Sequence, residues 1–178
     1  MRELTIESDK ANGIAMAFLV PVALVSGIVF FYLWHNNIDL HHEIMLLKKH
    51  TFAGLFILVF FVVIHELLHA LAYLFLTKGD FKSISFGIIW KNLTPYCHYS
   101  KAISMRQYRI AVALPGLITG IIPLIISMSI GSFSLLVFAL LFTLGAMGDF
   151  SILWISRKEK SNTMLKDHPD KIGCIILD

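Results

Sequence analysis

Four stretches of the chain stay apolar long enough to cross a bilayer, and the polar positions between them set their ends. They run over about 13–34, 51–76, 110–130 and 132–155, each at or above the roughly 20 residues that a membrane-spanning helix needs. The first is a poor signal peptide, because its apolar run is too long and no small-residue cleavage site follows it. Spans one and two are joined by HNNIDLHHEIMLLKKH (35–50), a polar loop with room for an interfacial amphipathic turn. Between spans two and three, GDFKSISFGIIWKNLTPYCHYS (79–100) alternates apolar and polar positions at Phe81, Ile84, Phe86, Ile88 and Trp90. It predicts one or two short strands broken at Gly87 and at Asn92–Pro95. SKAISMRQYR (100–109) predicts a short amphipathic helix leading into the third span. That span contains LPGLITGIIP, where Pro115, Gly116, Gly120 and Pro123 either serve ordinary close helix packing or distort a helix that faces substrate. No repeat or linker divides the chain, so one membrane-embedded domain is expected over 1–178. The predicted fold class is all-α integral membrane, with four transmembrane helices and a short β-hairpin-like loop between spans two and three.

Composition supports that class. The 178 residues are 57% hydrophobic and 15% charged, with a mean hydropathy of +0.75, whereas a soluble domain is about half apolar and a quarter charged. Charge then orients the spans. Residues 1–12, the loop 77–109 and the tail from Ser156 hold thirteen of the fifteen basic residues, Lys91 among them, and the other face has Lys48 and Lys49. Basic residues collect on the cytoplasmic side, so both termini are expected there. This asymmetry accounts for the net charge of +3 without a nucleic-acid partner. Cys97 and Cys174 both fall on that reducing side, and no CxxC occurs; a disulfide framework and a zinc finger are disfavoured.

One feature does not belong in hydrocarbon. FVVIHELLHALAYLF (61–75) places His65, Glu66 and His69 inside the second span, although charged groups at membrane depth cost on the order of 2.5–3.5 kcal/mol each. On a helix, positions i and i+4 share a face, so the two imidazoles can hold one metal ion. Glu66, about 100° round the same turn, sits too tightly to join them as a ligand but well for accepting a proton from a metal-bound water. Catalytic zinc usually takes three protein ligands and one water. Asp149, in TLGAMGDFSILW, is the one other acidic residue within the spans, and it lies at the same depth as His69, about 10 Å below the cytoplasmic surface at 1.5 Å per residue. It is the expected third ligand, with Gly145, Ala146 and Gly148 letting the fourth span press against the second. The alternative for Asp149 is a helix-end carboxylate paired with Arg157 or Lys158. Cys97 and His98 could approach the site as ligand or oxyanion donor, or be incidental to it. Asp167 and His168 suit a turn or docking element better than a metal. The loop histidines His35, His41, His42 and His50 read first as polar headgroup-level residues and second as metal ligands.

These residues point to peptide-bond hydrolysis by a zinc-activated water, with Glu66 as general base, on a membrane-protein or membrane-peptide substrate. The competing class is a non-enzymatic four-span metal-binding or metal-transport bundle, against which the apolar outer halves Leu55–Ile64 and Leu135–Leu141 weigh. Haem ligation is disfavoured because His65 and His69 share one helix.

HELLH with a distant intramembrane aspartate resembles the site-2-protease type of intramembrane zinc metalloprotease. More closely, HELLHALAYLF, PYCHYSKAISMRQYRIAVALPG, GDFSILW and DHPDKIG together resemble a bacterial family of zincin-type peptidases of unknown function, over about residues 55–178. The resemblance implies one zinc ion per chain on His65, His69 and Asp149, Glu66 as general base, cleavage of transmembrane segments, and a multi-pass place in the bacterial inner (plasma) membrane. The chain departs from well-studied site-2 proteases in its GAMGDF context around the aspartate and in having no PDZ domain.

Overall fold

The computed structural model describes residues 1–90, 94–169 and 171–177, without the side chains of Ser8, Asp9 and Asn12. In chain order these form β1 (Arg2–Ile6), α1 (Ser8–Trp34), α2 (Leu40–Lys49), α3 (Thr51–Thr77), β2 (Ile84–Ile89), β3 (Thr94–Tyr99) and β4 (Ile103–Ser104). Then follow α4 (Met105–Gly116), α5 (Ile122–Ile130), α6 (Phe133–Gly145), α7 (Met147–Ser156), β5 (Met164–Asp167) and β6 (Ile172–Leu177). Three helical runs, Gly13–Trp34, Thr51–Thr77 and Met105–Ile130, are long and apolar enough to cross a membrane. α6 and α7 make a fourth if counted as one span bent by 48°. The molecule is thus compatible with a membrane protein, and the spans fall close to where the apolar pattern put them.

The all-α expectation needs correction. β1, β6, β5 and β4 form a four-stranded antiparallel sheet in that order, with Arg2 opposite Ile176 and Ile6 opposite Ile172. Its strands are short and come from opposite ends of the chain, so no local periodicity announces it. The sheet joins the N-terminal segment, the residues before α4 and the C-terminal tail, which the charge count had assigned to one face. Both termini therefore lie on the same side of the helices.

Three local expectations also change. Residues 100–104 are not helical. α4 starts at Met105 because the Ser104 hydroxyl accepts the Gln107 N–H while the Gln107 side chain accepts the Ser104 N–H, a capping box. The loop 35–50 carries a full helix, α2, whose N-cap Asp39 accepts the His42 N–H at 3.1 Å and whose last turn holds Lys48 and Lys49, as the helix dipole favours. Gly87 does not break the hairpin; it pairs with Tyr96 inside the β2–β3 ladder. The expected break at Asn92–Pro95 starts in residues 91–93, which lie, with Lys91, outside the described residues, as does Asp170 of DHPDKIG.

The core has two parts. Around the sheet, Tyr73 of α3 stacks on Tyr99 of β3 with ring centroids 5.0 Å apart, beside Ile103, Met105, Tyr108 and Leu165. At the other end, Phe30, Leu124, Leu136 and Ala139 join α1, α5 and α6, and Trp34 Nε1 donates to the Met128 carbonyl at 2.8 Å.

Candidate metal centre

α3 supplies His65, Glu66 and His69 from one turn of helix, and the two imidazole centroids stand 5.0 Å apart, edge to face. Asp149 comes from the first turn of α7. The span breaks at Ala146, whose backbone leaves the helical region, so Asp149 sits at a fresh helix N-terminus, where the backbone dipole favours a carboxylate. Gly116 lets α4 close on this break: a Cβ there would stand 3.2 Å from that of Ala146. At the far end of α7 the Arg109 guanidinium donates to the carbonyls of Ser156 and Glu159, tying the C-terminus of the aspartate's helix to α4.

Asp149 Oδ2 lies 3.0 Å from His65 Nε2 and 3.4 Å from His69 Nε2. The alternative pairing with Arg157 is not adopted: that guanidinium stacks 3.7 Å over the Trp154 ring. The other nitrogens settle the tautomers. His69 Nδ1 is 3.0 Å from the Ala111 carbonyl, an acceptor, so Nδ1 carries the proton. His65 Nδ1 is 3.3 Å from Thr119 Oγ1. The Thr119 hydroxyl spends its own proton on the Pro115 carbonyl at 2.8 Å, so it accepts from His65. With the rings neutral, both Nε2 atoms then present lone pairs toward the Asp149 carboxylate, whereas a protonated ring donates its Nε2–H to it; the ligand atoms of the group lie within 4.8 Å of one another. Two neutral imidazoles and a carboxylate converging in this way are a ligand set that suits zinc with a fourth position open. His65, His69 and Asp149 could hold a metal ion.

Glu66 Oε2 is buried with no hydrogen-bond partner among the described residues. Leaving a buried acceptor unsatisfied costs about 1–3 kcal/mol, so its retention beside these three side chains marks a position where a further polar group, such as water, completes the site.

The remaining candidates lie elsewhere. His98 Nδ1 pairs with Asp167 Oδ2 at 3.2 Å, and the Tyr108 hydroxyl donates to Asp167 Oδ1 at 3.2 Å; Asp167 docks the tail on the hairpin and α4, as the docking reading expected. His168 Nδ1 accepts the Lys171 N–H at 2.9 Å. Among the described residues, the loop histidines and Cys97 join no metal-holding group. Cys97 packs against the Tyr73–Tyr99 cluster, and burial, with help from the nearby Glu66 and Asp167 carboxylates, pushes its thiol up to about 12.

The orienting contacts from Ala111 and Thr119 were not anticipated. Their signal was available: a proline inside a helix frees the carbonyl four residues earlier, and Ala111 stands four before Pro115.

Residues 58–164 match the sequence profile of a family described as "putative zincin peptidase". No curated protein and no solved structure matches the chain.

Proposed function

The chain belongs to this family of zincin-type peptidases, and on that premise we propose that it is a zinc metalloendopeptidase of the site-2-protease type, hydrolysing peptide bonds in or near membrane-spanning segments. The observation that carries the reading is the unpartnered Glu66 carboxylate oxygen beside three convergent ligand side chains. His65 and His69 would hold zinc through Nε2 and Asp149 through a carboxylate oxygen. When bound, the ion supplies a Lewis acid and a water whose pKa falls to roughly 7.

Glu66 takes a proton from the attacking water on its free oxygen. As the water oxygen bonds to the scissile carbonyl carbon and the carbon–nitrogen bond breaks, the carboxyl returns that proton to the leaving amine. Asp149 and the two Nδ1–H tautomers hold the ligand atoms still through this transfer. The apolar faces of α1 and α3 suit a multi-pass place in a bacterial inner membrane with both termini cytoplasmic, and the substrate is then a membrane protein or peptide.

Glu66→Gln tests the reading with a co-expressed single-span reporter. Cleavage should fall by about 10²–10⁴-fold, the usual worth of a positioned general base, while zinc content and melting temperature hold. Wild-type cleavage in that variant would overturn the proposal.

A further inference from the structure

The orienting contacts of both histidines lead back to one residue on a different helix. In an α-helix the carbonyl of residue 111 accepts the N–H of residue 115. Pro115 has no N–H to give, so the Ala111 oxygen lacks its i+4 donor and accepts His69 Nδ1 at 3.0 Å. The carbonyl of Pro115 itself accepts the Thr119 hydroxyl at 2.8 Å. That leaves Thr119 Oγ1 as the acceptor for His65 Nδ1 at 3.3 Å. Thr119 lies within a π-helical turn, Leu117–Ile121, a rare conformation that recurs at functional sites. Gly120 lets this turn press on α6, since a Cβ there would stand 3.2 Å from the Thr143 Cα.

We infer that Pro115 is the positioning residue of the metal centre: by lacking an N–H and by holding the Thr119 hydroxyl, it fixes both imidazoles as Nδ1–H tautomers with Nε2 toward the metal. The inference rests on the zinc reading above and names the part of the chain that prepares its two nitrogen ligands. A kink is the usual reason for a proline in a helix, but here Met105–Ile130 continues as one run long enough to span. What the proline changes is which hydrogen bonds the helix leaves for its neighbour.

The test is a zinc competition titration against a chromophoric chelator on the detergent-solubilised full chain, with melting of the zinc-free protein alongside. Pro115→Ala returns an N–H that competes with His69 for the Ala111 carbonyl. Zinc affinity should fall about 10–100-fold, the range for outer-shell partners of a metal-bound histidine, while the zinc-free protein melts at or above the wild-type temperature. Pro21→Ala, the same change inside α1, should leave affinity unaltered. Thr119→Val should weaken zinc binding and Thr119→Ser should restore it, an arm that stands even if Pro115→Ala does not fold. Cobalt(II) in place of zinc should show a shifted visible spectrum in Pro115→Ala and Thr119→Val alone. Affinity within about twofold of wild type in a folded Pro115→Ala, below the outer-shell range, would overturn the inference, as would equal losses in Pro115→Ala and Pro21→Ala. A wild-type chain that takes up no zinc would overturn the metal reading, and the inference with it.

Discussion

The two halves of α3 belong to one apolar run and are treated in opposite ways. From Thr51 to Ile64 the helix buries no residue; from His65 to Thr77 it buries His69, Ala70, Ala72 and Tyr73. The first half meets α6 through Phe61 on Phe142, rings 5.2 Å apart. Beyond that contact, an apolar cleft of about 530 Å³ separates it from α6, lined by Leu55, Leu58, Val137 and Leu141 among others. The second half lies against α4 and β3, and its small and polar residues make the contacts. Hydropathy separates these halves through the polar side chains of the second, His65, Glu66 and His69, but does not say where the helix is held. In the bilayer proposed for this chain, apolar surface gains nothing by leaving lipid, so close packing at small residues and polar contacts decide where a helix is held. The polar residues of the second half are the ones proposed to hold metal.

The sharpest way to break that comparison is to remove the centre from the second half. In Asp149→Ala the two Nε2 lone pairs lose their carboxylate neighbour. Elemental analysis of purified protein should find one zinc per chain in wild type. In the variant the zinc should be absent, or bound more weakly by a margin beyond the roughly 10–100-fold that outer-shell changes cost. Full zinc occupancy in the variant would detach the metal from the α3–α7 contact.

A smaller but clear effect is expected from packing. Gly120→Ala would push a methyl group to 2.7 Å from Thr143 Oγ1 and 3.3 Å from the Thr143 nitrogen. The threonine backbone cannot swing aside, so thermal unfolding in detergent should show a loss of about 1–3 kcal/mol, as overpacking usually costs. No loss would mean that the π-helical turn is not pressed on α6 as described.

How much of this was legible in the sequence divides along the same line. The spans were readable because long apolar runs are set by bilayer thickness, and the meeting of His69 with Asp149 was readable because depth can be counted along two helices. The bend at Ala146 was not read. Its signal, Gly145 and Gly148 either side, is weak inside an apolar run where glycine also serves packing. The sheet was hidden for another reason. Arg2 finds its partner at Ile176, and β4 is two residues long, so nothing local carries the pairing. The Ser104–Gln107 box and the Ala111–Pro115 spacing were both visible and ask only that the backbone hydrogen bonds be counted out.

The thiols read out whether the sheet and hairpin stay closed over the second half. Burial, reinforced by Asp167, pushes both Cys97 and Cys174 up to about 12. The thiolate is the reactive form, so maleimide labelling of both at pH 8 should be slow in the native protein and fast in denaturant. Linkage fixes the sign for stability. A thiol whose folded value is raised favours the fold fully below its unfolded value of ~8.5, and that contribution is lost as pH rises toward about 12. The melting temperature should therefore decline across that window, and less steeply in a Cys97→Ala, Cys174→Ala variant. Fast native labelling at pH 8 would show that the hairpin opens.

The smallest expected effect tests the other side of the comparison. Phe56, in the first half of α3, is 74% exposed, and Ala72, in the second half, is 4% exposed. Phe56→Ala removes a large side chain that packs on little of the protein, so unfolding in detergent should shift by no more than about 0.5 kcal/mol. Ala72→Leu adds volume at the α3 face that meets Tyr99 and Tyr108, and about 1–3 kcal/mol should be lost. The pair is informative because exposure in the folded chain, and not the size of the side chain altered, sets the ranking. A large loss in Phe56→Ala would mean that the first half of α3 is covered, by a second copy of the chain or by closure of the cleft, and the contrast between the two halves would then belong to the isolated chain alone.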